Sequence, residues 1–385
     1  MSPLDGITVV SMAEQYPGPY CTMLLADMGA DVILVERPGR GDPARGPTGM
    51  SDHFAALSRN KRSIAVDAKR EAGREIIVRL ARDADVLVEG FRPGVMDRLG
   101  LGYAALGEVN PRLIYCSITG YGQDGPYRSR PGHDLSYQAL AGLLSSLIPA
   151  GQFDRRPGVA IGDLSSAMFA ALGILAALIA RAQTGRGQSI DVSMTDGLVS
   201  WMGTAITAAL SRPEAARGAG MGEPAYGVFR CGDGQYLTLS IAHEDHFWRN
   251  LCAVLARPDF AVLPSQERRR RRAELSEWLQ SVLLTRPRDA WVEILIAADV
   301  PAGPVLSLPE VVNDPHLQDR GLFGRFDDGS GMGYVGHSTR FSETPASVRT
   351  PPPPLGQDTE QILVALGFSD EEVTALRQQS IVAGP

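Results

Sequence analysis

A series of short apolar runs separated by helical stretches constrains this chain more than any other feature. They read ITVVS at Ile7–Ser11, DVILVE at Asp31–Glu36, SIAVD at Ser63–Asp67, DVLVEGF at Asp85–Phe91 and LIYCSI at Leu113–Ile118. Runs with so little polar alternation belong to strands covered on both faces. Between them, Tyr20–Met28 has helical character and Arg70–Arg82 has an amphipathic helical period. Strands alternating with helices build βαβ units and hence a parallel sheet. The expected fold class is α/β, with a Rossmann-like sheet in the N-terminal part.

Further along, Asp163 is expected to open a long helix that Gly185 and Gly187 end, IDVSM (Ile190–Met194) is a further strand, and Asp196 opens another helix. The texture between Ser211 and Gly222 turns to Ser, Arg, Pro, Ala and Gly, the composition of a linker. In VFRCGDGQYLTLSI, Asp233-Gly234 between two strand runs marks a hairpin, and helices are expected at His246–Leu255 and Arg268–Leu284. Phe341–Pro354 ends in four prolines and reads as a second linker. A last helix, Thr359–Gln379, is expected to return to the first domain. A chain of 385 residues suits two domains. The expected division is a large domain at 1–210, a smaller α+β domain at 223–340, and a linker with returning helix at 341–385.

Composition excludes several classes. A 44% hydrophobic, 21% charged chain is globular rather than disordered. The start, MSPLDGITVVSM, has no basic segment followed by a long apolar one, so no secretory signal is expected. The longest apolar run, Ala167 to Ala180, is shorter than the ~20 residues of a membrane span and is expected to be a buried helix. Cys21, Cys116, Cys231 and Cys252 form no C-x-x-C pair, so reduced thiols and a cytoplasmic setting are expected. A net charge of −7 argues against nucleic acid as a partner.

Glu36 stands where a dinucleotide fold keeps its ribose ligand, but the first turn, AEQYPGPYC, lacks the spaced glycines that admit a pyrophosphate. No nicotinamide cofactor is therefore expected. Arg37 and Arg92 follow strands, where such sheets bind ligands, and Arg59, Asn60, Lys61 and Arg62 precede another. Convergent guanidinium groups suit a diphosphate or a 3′-phosphate, although each is equally readable as a surface charge. Asp163 is readable as a helix N-cap and, held ionised there, as a nucleophile or base. His133 lies in a loop opening a helix, PGHDLSY. Glu244 stands between His243 and His246, a set too small for a metal site. Arg268–Arg272, with Glu267, Glu274 and Glu277 nearby, reads as a solvated helix face.

Taken together, GADVILVERPGRGDPAR, LSRNKRSIAVD, EGFRPGVMDRLGLGY, CSITGYGQDGPYRSRPGHD, GDLSSAM, TGRGQSIDVSMTDG, VPAGPVLSLPEVVNDPH and LGFSDEEVTALR resemble the family III CoA-transferases nearly end to end. That superfamily includes an α-methylacyl-CoA racemase branch. The resemblance implies a large Rossmann-like domain built from both chain ends, a smaller domain between, and two ring-shaped chains interlocked as a homodimer. It also implies an acyl-CoA substrate, coenzyme A as part of that substrate, and neither a metal nor a separate cofactor. The CoA-binding set it implies is Arg37, Arg59, Asn60, Lys61, Arg62, Arg92, Gly132, Asp134 and Tyr137.

Two reactions fit the resemblance. In racemases, residues matching Asp163 and His133 exchange the proton on the substrate α-carbon, helped by a glutamate that Glu244 matches. In transferases, the matching aspartate attacks the thioester and forms a mixed anhydride. His133 and Glu244 favour the racemase, whose expected substrates are 2-methyl-branched acyl-CoA thioesters. LSSAM after Asp163 is closer to transferases, although the glycine run of the oxalate-type enzymes is missing. A silent CoA-binding subunit is a third reading, which the retained Asp163 disfavours. The N–H groups at the start of the Asp163 helix are the expected donors to an enolate oxygen.

Overall fold

The computed structural model describes residues 1–148, 157–212 and 222–384. The chain forms two compact units, Met1–Gly203 with Gly321–Pro385, and Thr204–Arg320. The larger is thus made from both chain ends, and the return to it falls at Gly321 rather than at 341. Most of the expected first linker, residues 213–221, lies outside the described residues.

The larger unit carries strands β1 (Thr8–Ser11), β2 (Asp31–Glu36), β3 (Lys61–Val66), β4 (Val86–Glu89), β5 (Ile114–Thr119) and β6 (Ser189–Ser193). Its helices are α1 (Pro17–Asp27), α2 (Asp52–Leu57), α3 (Glu71–Asp83), α4 (Val95–Arg98), α5 (Tyr103–Val109), α6 (Asp134–Leu140), α7 (Leu143–Leu147), α8 (Ile161–Thr184) and α9 (Met194–Trp201). The six strands run parallel in the order β3-β2-β1-β4-β5-β6. In this order the chain reverses direction between β1 and β4, and such a switch opens a crevice beyond the strand ends.

Successive strand residues face opposite layers. Val9, Val32, Val86, Val88, Ile114 and Cys116 pack with Ala167, Ala170, Ile174 and Ala177 of α8. Val10, Ile33, Ile64, Leu87 and Tyr115 pack with Ile76, Ile77 and Leu80 of α3 and with Ile362, Leu363 and Leu376 of the tail. Small residues on α8 let its backbone approach the sheet. At its far end the buried Arg181 pairs with Asp85 at 2.7 Å, tying the helix into the fold.

Three expectations need correction here. The Asp163 helix starts at Ile161 and runs for 24 residues, long and apolar enough by length and composition to cross a bilayer. It is buried on one face only, since Met168, Leu172 and Ile179 are 54, 63 and 66% exposed. The expected tail helix is two, Thr359–Ala365 and Asp370–Gln378, broken at Gly367 (φ +84°), and Ser369 with Glu372 forms a capping box on the second. Val382–Ala383 then pairs antiparallel with β3, which makes the sheet seven-stranded and mixed.

In the smaller unit the expected hairpin, Tyr226–Arg230 with Tyr236–Ser240, is joined by a third strand at Ala302–Pro304. Phe229, Leu237 and Leu239 pack on Trp248, Leu251, Leu279, Trp291 and Leu295. The expected Arg268–Leu284 helix is two helices, Ser265–Arg270 and Arg272–Leu283. The arginine run is not wholly solvated either: Arg268 is fully buried and pairs with Glu223 at 2.8 Å and Asp245 at 2.6 Å. Arg270 and Arg271 do form surface pairs, with Glu267 and Glu274.

Candidate active site

The loop after β1 borders the crevice and is held by an interior network. Glu36 and Arg45, both buried, pair at 2.6 Å, and Glu36 accepts the Asp42 N–H at 3.0 Å. The Asp42 carboxylate in turn accepts the N–H of Gln15 at 3.0 Å. Gln15 adopts φ +69°, a left-handed conformation that a side-chain-bearing residue keeps only when its surroundings impose it. Lys61 supports the same loop by donating to the carbonyl of Pro19 at 2.9 Å. Its burial pushes the ammonium group down to about 7.

Tyr16 follows Gln15, with Pro17 opening α1 behind it, and its ring lies 4.5 Å from that of His53 on α2. Burial, then the charges of Asp163 and Asp134, raise the Tyr16 phenol above its ordinary value. Tyr16 therefore stands near Asp163, and sequence reasoning missed it. The available signal was a tyrosine followed by a helix-opening proline on the first crevice turn.

The expected phosphate cluster divides. Arg37 and Arg92 are exposed beside the crevice, with Arg37 paired to Glu14 at 3.1 Å. Arg92 lines a cavity of about 200 Å³ together with Glu89, Tyr115, Ser117 and Asp191. Burial pushes Glu89 up to about 7. Arg59 and Asn60 are corrected, because their side chains face inward. The Arg59 guanidinium, 3% exposed, pairs with buried Asp27 at 2.6 Å. Asn60 donates to Asp27 and the Ser347 carbonyl, both at 2.8 Å, and accepts from Arg349 and Thr350. These side chains join the chain ends and present no free edge to a phosphate. The Lys61 ammonium is likewise interior, and Arg62 is held by Asp31 at 3.0 Å.

At the start of α8 the structure brings Asp134, Tyr137 and Asp163 together, with His133 next to Asp134 in the chain. His133, exposed, immediately precedes α6, and its carbonyl accepts the Ser136 N–H at 2.7 Å. Asp134, the first residue of α6, accepts the N–H of Gly162 at 2.6 Å and that of Asp163 at 3.2 Å through Oδ1. Its Oδ2 accepts from Gln138. Tyr137 is buried, edge-on to Tyr121 at 5.1 Å, and a Cβ at Gly132 would come within 2.7 Å of its ring, so only glycine fits there.

Asp163 is not the N-cap, a place taken by Ala160, which offers no side-chain hydrogen bond. It is the third helical residue and half-buried. Nor is its carboxyl held ionised by the helix: burial first, and the Asp134 charge second, push it up to about 7. The expected enolate donors are corrected as well. The Gly162 and Asp163 N–H groups are taken by Asp134, and that of Leu164 by the Ala160 carbonyl.

Glu244 belongs to the smaller unit, just before the helix α11 (Asp245–Val254; α10 is Gly203–Ser211). Its Oε2 accepts the N–H groups of Ala242 and His243, each at 3.0 Å. Backbone hydrogen bonds hold its carboxyl below the ordinary range.

The family model described as CoA-transferase family III matches residues 4–359. An acyl-CoA transferase of Fusarium pseudograminearum is 35% identical, over 98% of this chain and 88% of its own. The human alpha-methylacyl-CoA racemase is also 35% identical, over 98% of this chain and 97% of its own. The crystal structure of a CaiB/BaiF family protein from Brucella suis, 32% identical, superposes with a TM-score of 0.84 over 95% of this chain and 99% of that one. Matches to the family model, to both kinds of enzyme and to the solved fold, each over most of the chain, establish that it belongs to the enzymes of CoA-transferase family III.

Proposed function

We propose that the protein is a racemase or epimerase of 2-methyl-branched acyl-CoA thioesters. The observation that carries this reading is the Asp163 carboxyl, pushed up to about 7 beside the helix that His133 opens. Exchange of an α-proton needs one group that removes it and another that returns one on the opposite face. A carboxyl poised near neutrality can take either part, and an imidazole is the natural counterpart. In one direction Asp163 takes the α-proton and His133 delivers one; in the other the duties reverse. Glu244, kept ionised by its own loop, is assigned the supporting part. Enolate charge on the thioester oxygen needs donors other than the first-turn N–H groups of α8, which are already bonded.

Coenzyme A enters as part of the substrate, with Arg37 and Arg92 as the crevice cations suited to its phosphates. We assign no further cofactor. The active assembly is proposed to be a homodimer, and the uncovered apolar face of α8 at Met168, Leu172 and Ile179 supports it.

A second reading is CoA transfer, with Asp163 attacking the thioester to form a mixed anhydride. It is favoured by the same raised carboxyl, since a more basic carboxylate is a stronger nucleophile. The test is a single-enantiomer 2-methylacyl-CoA incubated with the enzyme in heavy water without acceptor acid. Deuterium uptake at the α-carbon with loss of enantiomeric purity is expected, and His133→Ala should slow it by roughly 10²-fold or more. No uptake, together with CoA transfer to an added carboxylic acid that survives His133→Ala, would replace the first reading with the second.

A further inference from the structure

Helix α8 begins without a side-chain cap of its own, because Ala160 occupies the capping position. Its first-turn N–H groups are bonded from outside, by Asp134 on α6. The approach is close: a Cβ on Gly162 would lie 2.9 Å from Asp134 Oδ1, so a glycine at this position makes room for the carboxylate. Gln138, buried one turn along α6, holds the other oxygen of Asp134, while its own Oε1 has no hydrogen-bond partner among the described residues. Asp134 is thus fixed between two helices by donors on both sides.

A first-turn carboxylate ordinarily gains from the N–H groups and the dipole of its helix. Here a second carboxylate has taken those groups and brings a negative charge beside the first. We infer that Asp134 is a positioning residue that fixes the start of α8 and sets the protonation of Asp163, by taking its helix N–H groups and by its own charge. Only the catalytic consequence rests on the function proposed above. Raising Asp163 makes it a stronger base and nucleophile in either reaction.

Among the described residues, the titratable groups that interact with Asp163 are Asp134 and Tyr137 of α6 and Tyr16, which precedes α1. His133 adjoins Asp134 in the chain, and Tyr20 acts on Tyr16. Arg92, after β4, reaches Tyr137 electrostatically, and α9 contributes the apolar Leu198 against Gly162, with Asp196 exposed beyond it. Asp134 is the charged group acting on Asp163 itself, after burial.

The test is an NMR titration of the full-length enzyme carrying side-chain ¹³C-labelled aspartate, with the Asp163 signal identified by its loss in Asp163→Asn. In Asp134→Asn an amide oxygen still accepts from Gly162 and Asp163, and Gln138 can turn its free Oε1 toward the new amide. The cap remains and the charge goes. The Asp163 midpoint should fall by about one unit or more, the size of a like-charge effect at close range. Gly162→Ala, which crowds Asp134 off the N–H groups, should move it in the same direction. The pH–rate profile should shift with the midpoint. An Asp163 titration unchanged in folded Asp134→Asn, or in Gly162→Ala should the first not fold, overturns the inference. A shifted titration in a protein showing neither α-proton exchange nor CoA transfer would uphold it and remove the proposed reactions instead.

Discussion

Asp163 and Glu244 both stand at the start of a helix, and their carboxyl groups are driven in opposite directions. Glu244, in its loop before α11, accepts two backbone N–H groups at 3.0 Å and is held below the ordinary carboxylate range. Asp163, in the first turn of α8, is half-buried, stands beside a second carboxylate and is pushed up to about 7. What differs is ownership of the N–H groups and access to water. A helix N-terminus stabilises whichever anion its donors reach, and at α8 that anion is Asp134. One carboxylate is suited to remaining charged, the other to exchanging a proton.

The sharpest break of this comparison is catalytic. Asp163→Asn keeps the side chain's shape and removes the exchangeable proton, so activity should fall by roughly 10²–10⁴-fold in the α-exchange assay. Glu244→Gln, changing a group that supports rather than reacts, should lose far less in the same assay. Equal losses would mean that the two carboxylates share one role.

A second, intermediate effect lies in stability. Asp163 has a folded-state pKa of about 7 against an ordinary 3.8, so between those values the folded chain holds a proton that the unfolded chain has released. Unfolding is then favoured progressively as pH rises through that window. Asp163→Asn, with nothing to ionise, should melt higher than the wild type at pH 8, and this advantage should shrink toward pH 4. Thermal melts across that range check the sign. An inactive variant more stable than its parent would be the mark of a group kept for chemistry.

The contrast between these carboxylates could not be read from the sequence, whereas the sheet around them could. Val86, Leu87 and Val88 are wholly buried, and a strand covered on both faces shows itself as an unbroken apolar run. The resemblance implies a role for His133 with Asp163, but not the bond between Asp134 and the Asp163 N–H, which joins positions on separate helices. Arg37 and Arg59 look alike in sequence; only the fold turns Arg59 onto Asp27 and leaves Arg37 at the surface. Arg268 reads as solvated for the same reason, since nothing local distinguishes the arginine that finds Glu223 from its surface neighbours. Val382–Ala383 was too short for a periodic signal. The break at Gly367 does have a local signal, a glycine shortly followed by the capping sequence SDEE.

The smallest expected effect sharpens the other half of the comparison. Glu244 is held ionised by the N–H groups of Ala242 and His243, so its contribution to stability exists above its ordinary range and disappears as pH falls through the depressed folded value. In Glu244→Gln the amide oxygen still accepts the two N–H groups, but without charge, and the loop before α11 keeps its shape. The variant should therefore melt slightly lower than the wild type at pH 7, with the gap closing in acid, the reverse of the trend for Asp163→Asn. If both variants instead move the same way with pH, the N–H groups do not decide the charge of either carboxylate, and the burial of Asp163 alone must account for its position near neutrality.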